Sequence, residues 1–218
     1  MISCVIISGG KLNEQFASEF LEKEKPEILI AADKGLAFCE KNHFLPNVIV
    51  GDFDTLGDQL LPKYKDMGIE IQKYDSVKAA TDTELAVKAA MKQGAEKITI
   101  LGATEGNRLD HLFGNVLTMM LPQKEGIDCF LLDANNRIRI LTKSIEIKKE
   151  EQYGKYISLV PLTTDVFGLT LTGFAYPLWD YRMNVETCTS FGISNELCED
   201  VGRIDFRAGM LLMMECKD

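Results

Sequence analysis

Residues 27–52 read EILIAADKGLAFCEKNHFLPNVIVGD, in which two short apolar runs, EILIAA and NVIVGD, flank a segment with helical period. Similar runs recur on both sides of this stretch, at SCVIIS, IEIQKY, EKITILG and DCFLLDA, and helical segments alternate with them. Runs that are apolar on both faces and alternate with helices are typical of a parallel sheet covered by helices. The first half of the chain is therefore predicted to be an α/β domain with a Rossmann-like parallel sheet.

The second half of the chain has a different pattern, with the runs KYISLVPL, GLTLTGF, RMNVETCTSF and GRIDFRAGMLLMME and no clear helical segment. Leu169 and Leu171 alternate with Thr170 and Thr172, as residues of half-buried antiparallel strands do. This pattern predicts a small all-β sandwich.

A charged and weakly patterned segment between Asp133 and Glu151 is the expected boundary between the two halves. It predicts an α/β domain at residues 1–135 and a β-sandwich domain at residues 145–218.

The clearest helix begins near Arg108. Apolar residues recur there at the spacing of one helical face, which predicts a buried stripe packed on the sheet. The residues of this stripe are Leu109, Leu112, Phe113, Val116, Leu117 and Met120.

The composition of the chain limits which kinds of binding partner it can have and in which cellular compartment it is expected. The 218 residues carry a formal net charge of -9, which argues against a nucleic-acid partner held by clustered cations. The six cysteines form no CxxC pair and are expected to be reduced thiols. The start, MISCVIISGG, lacks the basic region of a signal peptide, and no stretch approaches membrane-spanning length. We expect a cytoplasmic protein without a membrane partner.

The strongest chemical signal is VIVGDFDTL, where an apolar strand runs into Asp52, Phe53 and Asp54. Ligands of open α/β sheets bind beyond the carboxyl ends of the strands, so both carboxylates are expected at a site. Period-two geometry would point both Asp side chains the same way and Phe53 the other way. Paired carboxylates suit Mg²⁺, which completes its shell with water and phosphate oxygens. The alternative is an ordinary Asx-type turn.

Two further acidic residues occupy comparable positions. Asp33 follows another strand, and it either contacts a nucleotide or metal, or caps the helix that begins near Lys34. Thr81 and Glu84 have capping-box spacing, which makes Thr81 an N-cap and Asp82 the first helical residue. Phosphates settle at helix N-termini, so Asp82 is also a candidate to hold Mg²⁺ against them.

The segment ITILGATEGNRLDHLFGN places polar groups at the start of the Arg108 helix. Arg108, His111 and Asn115 share a helical stripe and are candidates to converge on one ligand, with Arg108 suited to phosphate. Asp110 is a candidate to bind metal or to orient an attacking hydroxyl. His111 is alternatively a structural histidine. The chain has neither a Walker A nor a GxGxxG spacing.

The motifs AADKGL, VGDFDTL, the TD of KAATDTELA, GNRLDHLFGN and FGISNE occur in the order and spacing of the thiamine pyrophosphokinases. The resemblance spans essentially the whole chain. It implies an α/β catalytic domain followed by a β-sandwich thiamine-binding domain, in a homodimer with sites between subunits. It also implies transfer of a pyrophosphoryl group from ATP to the hydroxyl of thiamine, with AMP as leaving group.

The resemblance also implies roles for individual residues. Thiamine would meet Ser194 and Asn195, with Tyr176 as the aromatic contact and Trp179 as the second choice. ATP and Mg²⁺ would lie at the acidic strand ends, through Asp33, Asp52, Asp54, Asp82, Arg108 and Asp110.

The chain departs from the family pattern at two positions. Ala79 stands where many relatives carry an acidic residue, and Lys34 stands where relatives often carry glycine. Lys34 either contacts a phosphate or faces solvent. Two other functions fit the first domain: Mg²⁺-dependent phosphotransfer to a different alcohol, and a module that binds ATP or thiamine without turnover.

Overall fold

The computed structural model describes residues 1–53, 60–75, 79–187 and 190–218. The chain divides into two compact units, Met1–Ala134 and Asn135–Asp218. This division falls inside the segment 133–151 in which the sequence placed the boundary. Most of the remainder of that segment belongs to strands of the second unit.

The first unit is a parallel sheet with helices in the connections between its strands. In its described part the sheet order is β6-β5-β1-β2-β3-β4, and each pair of neighbouring strands in this order runs parallel. The strands are β1 (Ser3–Ile7), β2 (Ile28–Ala32), β3 (Val48–Gly51), β4 (Glu70–Lys73), β5 (Lys97–Leu101) and β6 (Asp128–Leu132). The helices are α1 (Glu14–Glu24), α2 (Gly35–Lys41), α3 (Leu60–Asp66), α4 (Asp82–Lys92), α5 (Leu109–Thr118) and α6 (Met120–Lys124).

The strand order fixes where a ligand site forms. The chain lays β2, β3 and β4 on one side of β1 and then returns to place β5 and β6 on the other side. The connections after β1 and β5 therefore diverge, which leaves a crevice at the carboxyl ends of these two strands. The central strands are buried on both faces, as their continuous apolar runs predict.

The second unit is an antiparallel β-sandwich. One of its sheets has the order β12-β9-β14-β7 and the other the order β11-β10-β13-β8. The strands are β7 (Asn136–Leu141), β8 (Ile145–Lys148), β9 (Tyr156–Pro161), β10 (Asp165–Thr172), β11 (Leu178–Asn184), β12 (Asn195–Glu196), β13 (Val201–Asp205) and β14 (Leu211–Cys216), with a 3-10 turn at Lys149–Glu151. Apolar side chains from both sheets, including Ile157, Leu169 and Met213, form one core. The predicted fold class, a parallel α/β domain followed by a β-sandwich, is confirmed.

The buried stripe predicted for the Arg108 helix is confirmed only in part: Val116 is buried and Leu112 and Met120 are partly buried, but the other three residues are exposed. Leu109, Phe113 and Leu117 are 70%, 68% and 65% exposed, whereas Asn115 and Val116 are buried. Helix α5 packs mainly against α4 and α6, so its contact face differs from the one that periodicity alone selects. The three exposed residues recur every four positions and leave an apolar face on the outside of the unit.

None of the helices in the described ranges has the length and apolar character needed to cross a membrane.

Candidate active site

A cavity of about 690 Å³ opens at the carboxyl ends of β1, β2, β3 and β5, at the crevice set by the strand order. Its volume is in the range of small-molecule sites. The first turn of α4 and the start of α5 close its sides. The lining consists of residues 8–11, 33–34, 52, 80–83, 102–109, 111, 112 and 115.

Glycines after β1 allow the loops around the cavity to approach each other closely. A Cβ on Gly10 would lie 2.3 Å from the carbonyl oxygen of Gly102, and the Gly10 N–H donates to that oxygen at 3.0 Å. Gly102 itself has φ +69°, a conformation that favours glycine. This loop was not among the candidate site segments predicted from the sequence. The dipeptide Gly9-Gly10 directly after a buried strand is the signal that identifies it.

A salt bridge also joins the two loops. Lys11 Nζ lies 2.8 Å from Glu105 Oε2, and the Lys11 N–H donates to the Glu105 carbonyl at 3.3 Å. This side-chain pair raises the pKa of Lys11, first through the hydrogen bond and then through the charge of Glu105. Backbone hydrogen bonds and a salt bridge therefore both connect the β1–α1 loop to the β5–α5 loop.

Asp33 lies at the centre of the acidic part of the cavity. Its backbone has φ +48°, and its N–H donates to the Val50 carbonyl at 2.9 Å. Burial raises the pKa of the Asp33 carboxyl, and the charges of Asp82 and Asp52 raise it further, against a lowering hydrogen bond from the Lys34 N–H. Its buried Oδ1 accepts no hydrogen bond from the described residues. A half-buried carboxylate with an unused oxygen is suited to receive a cation or a donor from a ligand.

Asp52 lines the same cavity, directly after the end of β3. Strand β3 ends at Gly51, and Phe53 has φ +61°, so the backbone at Phe53 is not in the extended conformation on which the expected alternation depends. Phe53 is 3% exposed, which agrees with its expected role in packing. Asp54, the second carboxylate of the predicted pair, lies outside the described residues.

Helix α4 begins as predicted. The Thr81 Oγ1 accepts a hydrogen bond from the Glu84 N–H at 3.1 Å, and Asp82 is the first helical residue. Glu84 pairs with Lys88 at 2.6 Å. The next residue, Thr83, is buried, and its hydroxyl lies 2.7 Å from that of Ser8 at the end of β1. This contact fixes the first turn of α4 beside the glycine loop.

The start of α5 contributes the basic side of the cavity. Arg108, His111 and Asn115 all line it, so the structure brings together the three residues of the predicted stripe. Asn115 is buried and donates from Nδ2 to the Ala103 carbonyl at 2.9 Å, which anchors the β5–α5 loop.

Asp110 is outside the described cavity lining and forms an ion pair with Arg108, whose Nε also donates to Asp110 Oδ1 at 3.1 Å. The hydrogen bond from Arg108, followed by its charge, lowers the pKa of Asp110. Both side chains are more than 60% exposed, so the pair contributes little to stability. Arg108 therefore lines the cavity while its guanidinium is paired with the carboxylate of Asp110.

The acidic residues fit a magnesium ion as partial ligands. In the described ranges no group of three or more His, Cys, Asp or Glu residues is arranged to hold a metal ion by itself. Asp33, Asp52 and Asp82 nevertheless face one cavity. Mg²⁺ is commonly bound by one or two carboxylates, with water and substrate phosphates as the other ligands. The unused Asp33 oxygen fits such a shared site.

The candidate thiamine residues belong to the second unit. Tyr176 and Trp179 are 70% and 71% exposed. Asn195 is 8% exposed; its Nδ2 donates to the Tyr176 carbonyl at 2.9 Å, and its Oδ1 accepts from the Tyr176 N–H at 3.0 Å. Ser194 has φ +58°, and its N–H donates to Ser158 Oγ at 3.0 Å. The structure therefore brings Tyr176 and Asn195 together, while Trp179 stands on the exposed surface.

An acidic cavity at the switch point of a parallel sheet, in one chain with a β-sandwich unit, defines the class: a two-unit α/β protein with a site for phosphorylated small molecules. The family described as "Thiamin pyrophosphokinase, catalytic domain" matches residues 21–131, and "Thiamin pyrophosphokinase, vitamin B1 binding domain" matches residues 142–211. The chain belongs to the thiamin pyrophosphokinase family.

Individual relatives support this assignment across the whole chain. The chain is 32% identical over 192 residues to the thiamine pyrophosphokinase of Bacillus subtilis (strain 168), and the match covers 88% of each protein. It is similar to the crystal structure of a Bacillus subtilis thiamine pyrophosphokinase, with TM-score 0.84, 29% identity and 99% of both chains covered. A Geobacillus thermodenitrificans thiamin pyrophosphokinase structure has TM-score 0.81 and 27% identity, covering 99% and 98%.

Proposed function

We propose that the chain transfers the pyrophosphoryl group of ATP to the hydroxyl of thiamine and releases AMP, as a thiamine diphosphokinase. The observation that carries the proposal is the cavity of the first unit, which gathers Asp33, Asp52 and Asp82 around a glycine loop. Family membership selects thiamine as the acceptor and ATP as the donor.

In the proposed reaction the thiamine hydroxyl oxygen attacks the β-phosphorus of ATP in line. A bond forms between that oxygen and the β-phosphorus, while the bond from the β-phosphorus to the oxygen bridging the α- and β-phosphates breaks. AMP leaves with the bridging oxygen, and the hydroxyl proton is lost to solvent or to a nearby base. Such a transfer depends on positioning and on charge neutralisation more than on a strong base.

The residues around the cavity supply positioning for the phosphates. The first N–H groups of a helix have no acceptor within the helix, and residues 81–83 at the start of α4 face the cavity. The side chain of Thr81 accepts the N–H of Glu84. We assign the other N–H groups of this first turn, with Arg108, to the phosphate oxygens. His111 and Asn115 complete the proposed nucleotide contacts.

A magnesium ion would be held by Asp33, Asp52 and Asp82, together with Asp54, and would neutralise negative charge on the phosphates. Asp110, which is paired with Arg108, is assigned one of two roles: it orients the acceptor hydroxyl or it binds the metal. Many relatives carry an acidic residue where this chain has Ala79. Replacing Ala79 by aspartate and measuring the rate of AMP release tests whether that carboxylate contributes to the reaction.

In the second unit we assign Ser194, Asn195 and Tyr176 to thiamine. Asn195 is tied at both ends of its amide to the backbone of Tyr176, so it holds that aromatic residue in place. Tyr176 presents most of its ring to the surface, as an aromatic partner of a flat heterocycle requires.

A homodimer is part of the proposal. Leu109, Phe113 and Leu117 form an exposed apolar face on α5, and a contiguous exposed apolar patch is a feature of protein association sites. Light scattering tests this, and the expected mass is twice that of the chain. The substitution Phe113→Lys is expected to shift the mass toward the monomer.

We also assign the protein to the cytoplasm. Cys4, Cys39, Cys129, Cys198 and Cys216 are free thiols. Burial raises the pKa of Cys4 and of Cys39 to about 12, so these thiols stay protonated and unreactive.

The test is AMP release from ATP and Mg²⁺, with and without thiamine, followed by mass identification of the product. We expect AMP release that depends on thiamine, with an equal amount of thiamine diphosphate. Asp52→Asn should lower the rate by at least about a hundredfold. Asp66→Asn, an equal charge change on an exposed residue outside the cavity, should leave it unchanged.

Two outcomes contradict the proposal. If another alcohol replaces thiamine without loss of rate, the protein is a phosphotransferase of different specificity. If folded protein binds ATP or thiamine and releases no AMP, it is a binding module.

A further inference from the structure

Lysine and arginine side chains reach the cavity at three described positions, and two of them already have a carboxylate partner. Lys11 pairs with Glu105 at 2.8 Å, and Arg108 pairs with Asp110. The third, Lys34, forms no salt bridge with any residue in the described ranges, and its side chain is exposed at the cavity wall. Lys34 therefore forms no ion pair within the described ranges, although its charge acts on the neighbouring Asp33 carboxyl and lowers the pKa of that group.

The backbone that carries Lys34 is fixed on several sides. The Asp33 N–H is bound to the Val50 carbonyl, and the Lys34 N–H is bound to the Asp33 carboxylate. Gly35 packs so closely on β1 that a Cβ there would lie 2.0 Å from the Ile7 carbonyl oxygen. A Cβ on Gly9 would lie 3.4 Å from the Lys34 nitrogen, which places Lys34 directly beside the glycine loop.

Lys34 lines the cavity and lies where it can meet the negative charge of a ligand. Asp33, Asp52 and Asp82 line the same cavity, and a polyphosphate held there with a metal ion would bring several negative charges close to Lys34. Lysine is a compact charge on a flexible stem, so it can follow phosphate oxygens that a planar guanidinium would have to meet in one orientation.

We propose that Lys34 is a nucleotide-specificity residue whose ammonium binds the β- and γ-phosphates of ATP, so that the cavity prefers a nucleoside triphosphate to a monophosphate. The inference rests on the proposed function, because it takes ATP as the ligand of this cavity. It also has a consequence for turnover. AMP lacks the groups that Lys34 binds, so this contact does not retain AMP, whereas it can still meet the two phosphates transferred to thiamine.

The test measures binding by calorimetry on the full chain with excess Mg²⁺, using AMP and α,β-methylene ATP, whose scissile linkage cannot be cleaved. Lys34→Met removes the charge and keeps the length of the side chain. We expect it to weaken binding of α,β-methylene ATP by about tenfold and binding of AMP by less than about twofold. Lys34→Arg should restore most of the affinity for the triphosphate.

The matched control is Lys41→Met, which removes the same charge from the other end of α2, where Lys41 pairs with Glu14 outside the cavity. It should bind both nucleotides as the unaltered chain does. The inference is overturned if Lys34→Met binds the triphosphate normally, if it loses AMP binding equally, or if Lys41→Met has the same effect. If the unaltered chain binds no nucleotide, the proposed function fails and this inference fails with it.

Discussion

The hydrogen bond between Ser8 and Thr83 joins the end of β1 to the first turn of α4 at the cavity wall. The effect of removing it on stability can be predicted quantitatively. The two hydroxyl oxygens are 2.7 Å apart, and the residues are 6% and 7% exposed. Ser8→Ala leaves the Thr83 hydroxyl buried without this partner. An unsatisfied buried hydroxyl costs about 1–3 kcal/mol. In a chain of this size each kcal/mol lowers Tm by roughly 2–4 °C.

A double-mutant cycle isolates the bond from other effects. Thr83→Val removes the second hydroxyl at similar shape, and the double variant leaves neither hydroxyl unsatisfied. The double variant should therefore be more stable than the sum of the two single losses implies, by about 1 kcal/mol. Equilibrium denaturation of the four proteins measures this coupling.

The same four proteins test the link to function. Thr83 follows Asp82, so loss of the bond should let the first turn of α4 move and should lower kcat/KM for AMP release by about tenfold. Conditions in which all four proteins are folded separate this effect from unfolding. Single losses that add within about 0.3 kcal/mol would refute the reasoning, because contacting partners in one hydrogen bond must couple.

Four further outcomes are expected. Gly9→Ala places a Cβ 2.8 Å from Asp33 Oδ2, which displaces that carboxylate and should lower kcat/KM by about ten- to a hundredfold with little change in Tm. Gly114→Ala, in α5 with no atom near the added Cβ, should raise the free energy of unfolding by about 0.5–1 kcal/mol in denaturant titrations. Burial raises the pKa of Asp33, so the unaltered chain loses stability as pH rises from the ordinary value of 3.8 through the raised one. Asp33→Asn should therefore have the higher Tm at neutral pH, with the gap closing below pH 3.8. Glu215→Gln breaks the pair that the fully buried Glu215 forms with Arg137 at 2.6 and 2.8 Å, and should cost about 3 kcal/mol by equilibrium denaturation.

For each of these four predictions, one experimental result would contradict the physical reason behind it. Normal activity in Gly9→Ala would mean that the Asp33 carboxylate need not keep its position. A fall in stability in Gly114→Ala would mean that α5 is packed more tightly than its surroundings imply. A Tm gap for Asp33→Asn that is independent of pH would exclude titration as its cause. An unchanged stability in Glu215→Gln would show that the Arg137 pair offsets only its own desolvation.

Much of the fold could be predicted from the sequence because its signals are local. Strands buried on both faces require continuous apolar runs, and the alternation of Leu169 and Leu171 with threonines marks a sheet with one buried face. The cap at Thr81 depends only on a residue three positions later, and the structure has that hydrogen bond. Acidic residues placed just after strands were expected at one edge of the sheet, and Asp33 and Asp52 both line the cavity there.

The features that the sequence did not predict depend on contacts between distant segments. The approach of Gly10 to Gly102 exists only because the strand order places β5 beside β1. The exposed position of Phe113 follows from the packing of α5 on other helices, whereas periodicity identifies an apolar face without saying what covers it. The side-chain amide of Asn195 is hydrogen-bonded to the backbone of Tyr176, nineteen positions away. No rule based on residue spacing predicts this contact.

Asp33 shows why the site is expected to reduce the stability of the fold that contains it. Its left-handed backbone, its buried unpaired oxygen and its raised pKa each oppose folding. The conformation persists because the Asp33 N–H is bound to Val50 and because Gly35 locks the next turn against β1. Neutral asparagine tolerates the same backbone and removes the charge, so folding alone would favour it. We therefore expect the carboxylate at this position to serve a ligand that uses the oxygen without a described partner, and a cation at the end of β2 fits that role.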